Sequence, residues 1–395
     1  MTDALPLAGI RVLDVSQVMA GPFCCMLLGD MGADVIKVEP PVVGDSSRRS
    51  MGFRLKGDDS PGFLALNRNK RSIVLDLKAA EDRDTFYALA KTADVVVENG
   101  RPGVADRLGI GYDTLHALNP RLIYASISGF GPGGPWAMRP GYDLIAQAMS
   151  GLMSAVGMPD QEPVKNTTPV GDLGSALFAA YGILSALIGR ERTGEGQFIT
   201  ASLFEAALGL SIWETAELWG TGKSPKPLGS ANRMSAPYQA VQASDGYFVF
   251  AAANQKLWLS LLGVIGRPEL NDDPRFADNS ARVANARQLI ELLRPTFAER
   301  PANHWVEALL AAGVPSGPIY NYEQSLASEH TRARAMVQDI PHPVEGSFKA
   351  LGFPVKLSAT PQSVRYPPPL LDQHGAEIRR ELAERGLLPA TADRA

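Results

Sequence analysis

Short apolar runs alternate with longer segments of mixed polarity through the first 220 residues. The runs at 11–15 (RVLDV), 34–39 (DVIKVE), 72–77 (SIVLDL), 94–98 (DVVVE) and 122–128 (LIYASIS) read as strands. Between them, Gly21-Pro22 opens an apolar helix reaching Met31, a second helix covers about 79–91, and short helices fall near 104–118. Strands interleaved with helices predict an α/β fold: a large Rossmann-like layered domain with a largely parallel sheet. Two long helices follow, one from Tyr142 and one over about 173–188. The second carries Ala, Gly and Ser on several faces, which predicts close packing against other backbone. A strand at 197–201 and a helix over about 203–219 complete this block.

Residues 220–237 (GTGKSPKPLGSANRMSAP) form a polar break rich in Pro and Gly, and read as a linker. A smaller α+β unit is expected at 238–328, with a strand at 246–252, helices near 254–265, 283–299 and 301–312, and a turn at Gly313-Val314-Pro315. From 329 to 395 the chain reads as a return to the large domain begun by 1–219. It ends in Tyr366-Pro367-Pro368-Pro369 and a charged amphipathic helix at 375–386.

Composition narrows the function. The 395 residues are 45% hydrophobic and 20% charged, an ordinary globular balance, with a net charge of −4. That charge argues against a nucleic-acid partner while allowing a local basic pocket. The N-terminus lacks a basic segment followed by an apolar core, so no export or membrane partner is expected. The apolar stretch 174–189 falls short of the roughly 20 residues a bilayer requires and reads as a buried helix. The two cysteines, Cys24 and Cys25, are adjacent and make no disulfide framework, which points to a reducing, cytoplasmic setting. Five histidines show no metal-ligand spacing, and no metal site is expected. The glycine-rich run from Gly129 to Pro135 follows a strand, but Pro132 and Pro135 obstruct the helix a dinucleotide fingerprint needs. Neither a P-loop nor a GxSxG nucleophile elbow is present.

Asp172 lies in Thr168-Pro169-Val170-Gly171-Asp172-Leu173-Gly174-Ser175, where the apolar helix begins. One reading is an N-cap, a role to which Asp is well suited. The other is a nucleophile. Gly171 and Gly174 leave the backbone open to a substrate carbonyl. A helix N-terminus favours an ionised carboxylate and offers N–H donors to an oxyanion. A carboxylate attacks an activated carbonyl such as a thioester without a neighbouring base, which fits the absence of a His partner.

The chain resembles the class III CoA-transferase family along nearly its whole length. The likeness is carried by 7–14 (LAGIRVLD), Ala20-Gly21-Pro22, 31–39 (MGADVIKVE) and 67–72 (NRNKRS). It continues through Glu98-Asn99, Arg101-Pro102-Gly103, Ser128-Gly129-Phe130-Gly131, 139–143 (RPGYD) and Gly171-Asp172. The resemblance implies a CoA-transferase that carries CoA from an acyl-CoA donor, such as succinyl-CoA, to a carboxylic acid through an aspartyl-CoA thioester on Asp172. It also implies two interlocked subunits, no permanently bound cofactor, and coenzyme A as a substrate. Arg107 and Asn99 match CoA-site residues of the family, and Lys70 and Arg71 lie in a segment that lines its nucleotide pocket. Arginine and lysine suit the phosphates of CoA.

Departures from the formyl-CoA branch shape the substrate expectation. Met19 replaces its Gln, Pro40 its Arg and Ser128 its Lys, and its glycine-rich loop gives way to 229–235 (GSANRMS). The Ser-Gly-Phe-Gly and Asn-Arg-Asn-Lys forms look closer to the succinyl-CoA-using dicarboxylate transferases, and Arg48, Arg49 and Arg233 are candidates to pair with a distal carboxylate. The alternatives are a racemase-like isomerase and a non-catalytic CoA-binding dimer. Racemase relatives use a His where this chain has Tyr142, and an unperturbed phenol is a poor base at neutral pH.

Overall fold

A computed structural model describes residues 5–50 and 54–389. It divides into two compact units, one of residues up to 153 with 165–223 and 330 onward, the other of 154–164 and 224–329.

The first unit is built on six parallel strands: β1 (Arg11–Asp14), β2 (Asp34–Glu39), β3 (Lys70–Val74), β4 (Val95–Glu98), β5 (Ile123–Ser128) and β6 (Phe198–Ser202). Their order is β3-β2-β1-β4-β5-β6, the doubly wound arrangement in which strand order reverses between β1 and β4. Successive side chains point to opposite faces. Val12, Val95 and Val97 therefore join one core with Cys24, Leu28 and Ala179, while Leu13, Ile36 and Val96 join another with Phe86 and Leu89. The C-terminal helix Gly375–Glu384 buries Ile378 and Leu382 in that second core, so the chain end covers the sheet that its start began.

The helix expected at 173–188 runs over Val170–Thr193, 24 residues, long and apolar enough to cross a membrane by those two measures alone. Here its Ala176, Ala179, Ile183 and Ala186 are buried against the sheet, where small side chains permit close approach. Near its end the Arg190 guanidinium is buried and paired with Asp94 at 2.8 Å. The helix expected over 203–219 is two, Leu203–Leu210 and Ile212–Thr221. They break at Ser211, whose hydroxyl donates to the Ala207 carbonyl and competes with the backbone ladder.

β3 begins at Lys70, two residues before the expected strand. The polar run Asn67-Arg68-Asn69-Lys70 hides this start, because its charges are satisfied inside the protein rather than in water. The Lys70 ammonium is fully buried and donates to Asp14 Oδ2 (2.7 Å), the Pro22 carbonyl (2.8 Å) and Asn67 Oδ1 (2.9 Å). Lys37, equally buried, pairs with Asp45 at 2.9 Å and with Asp14 at 3.8 Å, and donates to the Ser16 carbonyl. Burial alone would raise the Asp14 carboxyl, but the two ammoniums hold it below its ordinary value. Gly21 lies against this cluster: a Cβ there would fall 2.1 Å from Ser16 Cβ, so the Ala-Gly-Pro turn needs glycine. The adjoining thiols of Cys24 and Cys25 are buried, and burial pushes Cys24 up to about 12.

The C-terminal part of this unit adds an antiparallel hairpin not anticipated from the sequence, β10 (Val337–His342) with β11 (Gly346–Leu351). The second unit is a three-stranded antiparallel sheet, β7 (Tyr238–Gln242), β8 (Tyr247–Ala251) and β9 (Ser316–Pro318), covered by helices. Its core is aromatic, with Phe248, Phe250, Trp258, Phe297 and Trp305 packed together.

Because Lys70 neutralises Asp14 without water, Lys70→Met should destabilise the fold by about 3–5 kcal/mol. Urea unfolding measures this. Wild-type stability together with weakened CoA affinity would instead place the ammonium on the ligand.

Candidate active site

Two cavities open where the parallel strands end. The larger, about 610 Å³, is walled by Gln17 and Val18 after β1, Glu39 and Pro40 at the end of β2, Leu77 and Lys78 after β3, and Asn99 and Gly100 after β4. Open α/β sheets bind ligands in the crevice where strand order reverses. The smaller, about 230 Å³, is lined by residues that include Met19, Arg101, Ser128, Arg139, Tyr142 and Asp172. Val18, Asn99 and Gly100 belong to both walls.

That shared wall is firmly held. Asn99 Oδ1 accepts from the Gln17 N–H at 2.8 Å, and its Nδ2 donates to the Gln17 carbonyl at 2.7 Å. Val18 has φ of 70°, a left-handed conformation costly for a β-branched residue. Its N–H is anchored on Asp45 Oδ1 at 3.1 Å. The opposite wall depends on a backbone crossing. A Cβ on Gly141 would lie 2.7 Å from Gly129 Cα, so only glycines let the loop after β5 meet the segment carrying Arg139 and Tyr142.

Asp172 sits in the first turn of the long helix, but the N-cap is Pro169, which offers no side-chain bond. The capping acceptor comes from Asp143, at the start of helix Asp143–Met149. Its Oδ1 accepts from the Gly171 N–H at 2.8 Å and from the Asp172 N–H at 3.4 Å, and its Oδ2 accepts from Gln147 Nε2 at 2.7 Å. The alternative reading of Asp172 as its own helix's N-cap is therefore excluded. So is the expectation that these amides await an oxyanion: Asp143 already occupies them. The Asp172 carboxylate has no hydrogen-bond or ion-pair partner among the described residues. Burial, and then the charge of Asp143, push it up to about 6 rather than letting the helix N-terminus lower it.

The other sequence candidates divide. Asn99 and Tyr142 share the Asp172 wall. Arg107 ends the short helix Val104–Arg107, whose Val104 and Ala105 line the larger cavity; its guanidinium is exposed, lies outside that lining, and has no bonded partner among the described residues. Lys70 and Arg71, expected in a nucleotide pocket, do not line the larger cavity, because they open β3 while that cavity lies beyond the carboxyl ends of the strands. Lys70 is consumed by the buried cluster, and Arg71 is ion-paired with Asp34, Glu377 and Glu381. Arg48 is buried, paired with Glu39 at 2.7 Å and Asp59 at 3.0 Å, and stacked on Phe63. Arg49 is exposed, and both arginines line a different cavity beside His342 and Glu345. Arg233 belongs to the second unit, where it donates to the Ala155 and Lys226 carbonyls.

Three residues escaped the sequence reading. Asp143 is one. Arg101 and Arg139 are the others: both line the Asp172 cavity, and neither guanidinium has a hydrogen-bond or ion-pair partner among the described residues. Arg139 stacks over Trp136 at 5.4 Å. Each precedes a Pro-Gly pair, which read only as a mark of family likeness.

The sequence profile of CoA-transferase family III matches residues 7–375. Acetyl-CoA:oxalate CoA-transferase of Acetobacter aceti is 42% identical over 381 residues, 96% of this chain and 96% of that protein. Succinyl-CoA:glutarate CoA-transferase of Mus musculus is 38% identical over 377 residues, 95% of this chain and 86% of that protein. The crystal structure of a CAIB/BAIF family protein from Brucella suis is 39% identical and matches with a TM-score of 0.85, covering 96% of this chain and 100% of that one. A shared fold, a profile spanning nearly the whole chain and relatives that transfer CoA lead to one conclusion: the chain belongs to the class III CoA-transferase family and is an enzyme that transfers coenzyme A.

Proposed function

We propose that this enzyme moves CoA from an acyl-CoA donor, succinyl-CoA or a near analogue, to a dicarboxylic acid through an aspartyl-CoA thioester on Asp172. The observation that carries this reading is the Asp172 carboxylate itself: unbonded, partly desolvated, and facing a cavity that shares Val18, Asn99 and Gly100 with the switch-point crevice. An Asp172 oxygen attacks the thioester carbonyl, the C–S bond breaks, and CoA leaves as the thiolate, giving a mixed anhydride. The thiolate then attacks the aspartyl carbonyl, releasing the donor acid and leaving CoA on Asp172. The acceptor carboxylate attacks that thioester and expels the thiolate again. The thiolate finally attacks the acceptor carbonyl, and Asp172 returns as a carboxylate. No proton changes hands in any of the four steps.

The larger cavity suits the body of CoA, with Asn99 and Lys78 in its wall and Arg107 on the short helix whose Val104 and Ala105 also line it. The smaller cavity, about 230 Å³, lies below the range of roughly 300–1,000 Å³ typical of drug-sized ligands and suits a short acid. Arg101 and Arg139 supply the cations that a distal carboxylate would need, replacing Arg48, Arg49 and Arg233 in that role. Oxalate and glutarate, in the names of the two relatives, are both dicarboxylic acids.

A homodimer accompanies this reading. Leu177, Phe178, Tyr181, Leu184 and Ile188 are exposed on one face of the long helix, and Trp213 and Trp219 are exposed on the helix Ile212–Thr221. An apolar surface of that kind suits a second copy.

Transfer is followed by mass detection of new thioesters after incubation with succinyl-CoA and a panel of acids. Asp172→Ala should lower it at least about 1,000-fold while leaving CoA binding intact; undiminished turnover would remove the aspartyl route. The double variant Arg101→Ala with Arg139→Ala should raise KM for dicarboxylates about 10- to 100-fold and leave monocarboxylates unchanged, reflecting lost charge-assisted bonds. Equal effects on both classes would exclude a distal-carboxylate site. Light scattering should return twice the chain mass, and a monomer would contradict the dimer.

A further inference from the structure

The start of the long helix holds two aspartates with different work. Four backbone N–H groups at a helix start lack intrahelical partners. An acid at the third helical position usually reaches back to the N-cap amide, but the N-cap here is Pro169, which has none, so the unpaired amides nearest the Asp172 carboxylate are those of Gly171 and Asp172 itself. The amides of Gly171 and Asp172 turn instead to Asp143 Oδ1, at 2.8 and 3.4 Å, from a helix 29 positions earlier in the chain. Asp143 is itself fixed through Oδ2 by Gln147, whose amide oxygen accepts from the Asn166 N–H at 2.9 Å just upstream of the long helix. Gly171 allows the approach, since a Cβ there would sit 3.1 Å from Asp143 Oδ1.

We propose that Asp143 is a positioning residue for CoA transfer: by occupying the amides at the start of the long helix, it keeps the Asp172 carboxylate uncapped and aimed into the cavity. The proposal rests on Asp172 being the nucleophile. A carboxylate bound to helix amides would give up lone pairs and basicity, and both are needed for attack on a thioester. With Asp143 as the cap, the helix start is satisfied and the reacting oxygens keep their lone pairs. The negative charge of Asp143 also opposes ionisation of Asp172 and keeps its conjugate base strong. The other titratable groups facing Asp172 in the cavity are Tyr142, at the start of the Asp143 helix, Arg101 after β4, and Arg139 after β5. Leu203, from the following helix, is apolar.

Asp143→Asn retains an oxygen for the Gly171 amide but removes the charge. In the wild type, activity is lost as acid protonates Asp172, so the acid limb of kcat should centre near pH 6. In Asp143→Asn that limb should move down by about one pH unit, with kcat at pH 8 falling less than about tenfold; in Asp143→Ala, which frees both amides, kcat should fall about 10- to 100-fold with KM for the acyl-CoA changing less than about twofold. Asp143→Glu, which restores the charge, should return the limb toward pH 6 even with lower kcat, and it serves as the test if the Asn variant does not fold. A kcat unchanged in Asp143→Ala, where both amides are freed, would show a helix cap and nothing more, and overturn the proposal. An Asp172→Ala enzyme that still transfers CoA would instead overturn the reading beneath it, so the two failures are distinguishable.

Discussion

Two lysine ammoniums sealed from water set the geometry on which the site depends. Lys37 and Lys70 meet at Asp14, and Lys37 reaches on to Asp45 and the Ser16 carbonyl. An ion pair in the interior adds little net stability compared with apolar residues of the same shape, but losing one partner is expensive. The consequence is positional. Ser16, Gln17 and Val18 form the turn out of β1 at the switch point, and they are tied from below by this cluster and from the side by Asn99. Val18 keeps its left-handed backbone because those ties leave it no alternative. One residue of that turn, Val18, thereby becomes wall to both the switch-point crevice and the Asp172 cavity.

The second element of the site is a packing result. Alanines along one face of the long helix bring it close to the sheet and fix where its first turn lies. Asp172 then faces a cavity edge rather than bulk solvent, and its carboxyl rises to about 6 through burial and the neighbouring Asp143. At neutral pH such a group is still mostly ionised, yet more basic than an ordinary aspartate, which favours the attack on a thioester proposed for it.

The sheet was legible in the sequence because apolar runs such as 94–98 are buried on both faces, and Asp172 stood out through the glycines beside it. The isomerase and non-catalytic readings, open at that stage, gave way when relatives of the whole chain proved to be CoA-transferases. What stayed hidden was the destination of charge. Lys70, Arg71 and Arg48 look in sequence like ligand-binding cations, but each is consumed by carboxylates brought from up to 310 positions away, such as Glu381 on Arg71. Arg101 and Arg139 read only as marks of family likeness before Pro-Gly, although their guanidiniums remain unbonded in the cavity wall. Asp143 was invisible as a partner because its contact with Gly171 depends on how two helices pack. Local pattern reveals which residues carry charge, whereas tertiary pairing decides which of those charges are spent.

The most direct measurement is the intact mass of the protein under turnover with succinyl-CoA. A covalent adduct of CoA on Asp172, released by hydroxylamine and absent from Asp172→Ala, is the predicted result. A competent enzyme that never carries CoA, or an adduct that persists in Asp172→Ala, would contradict the account.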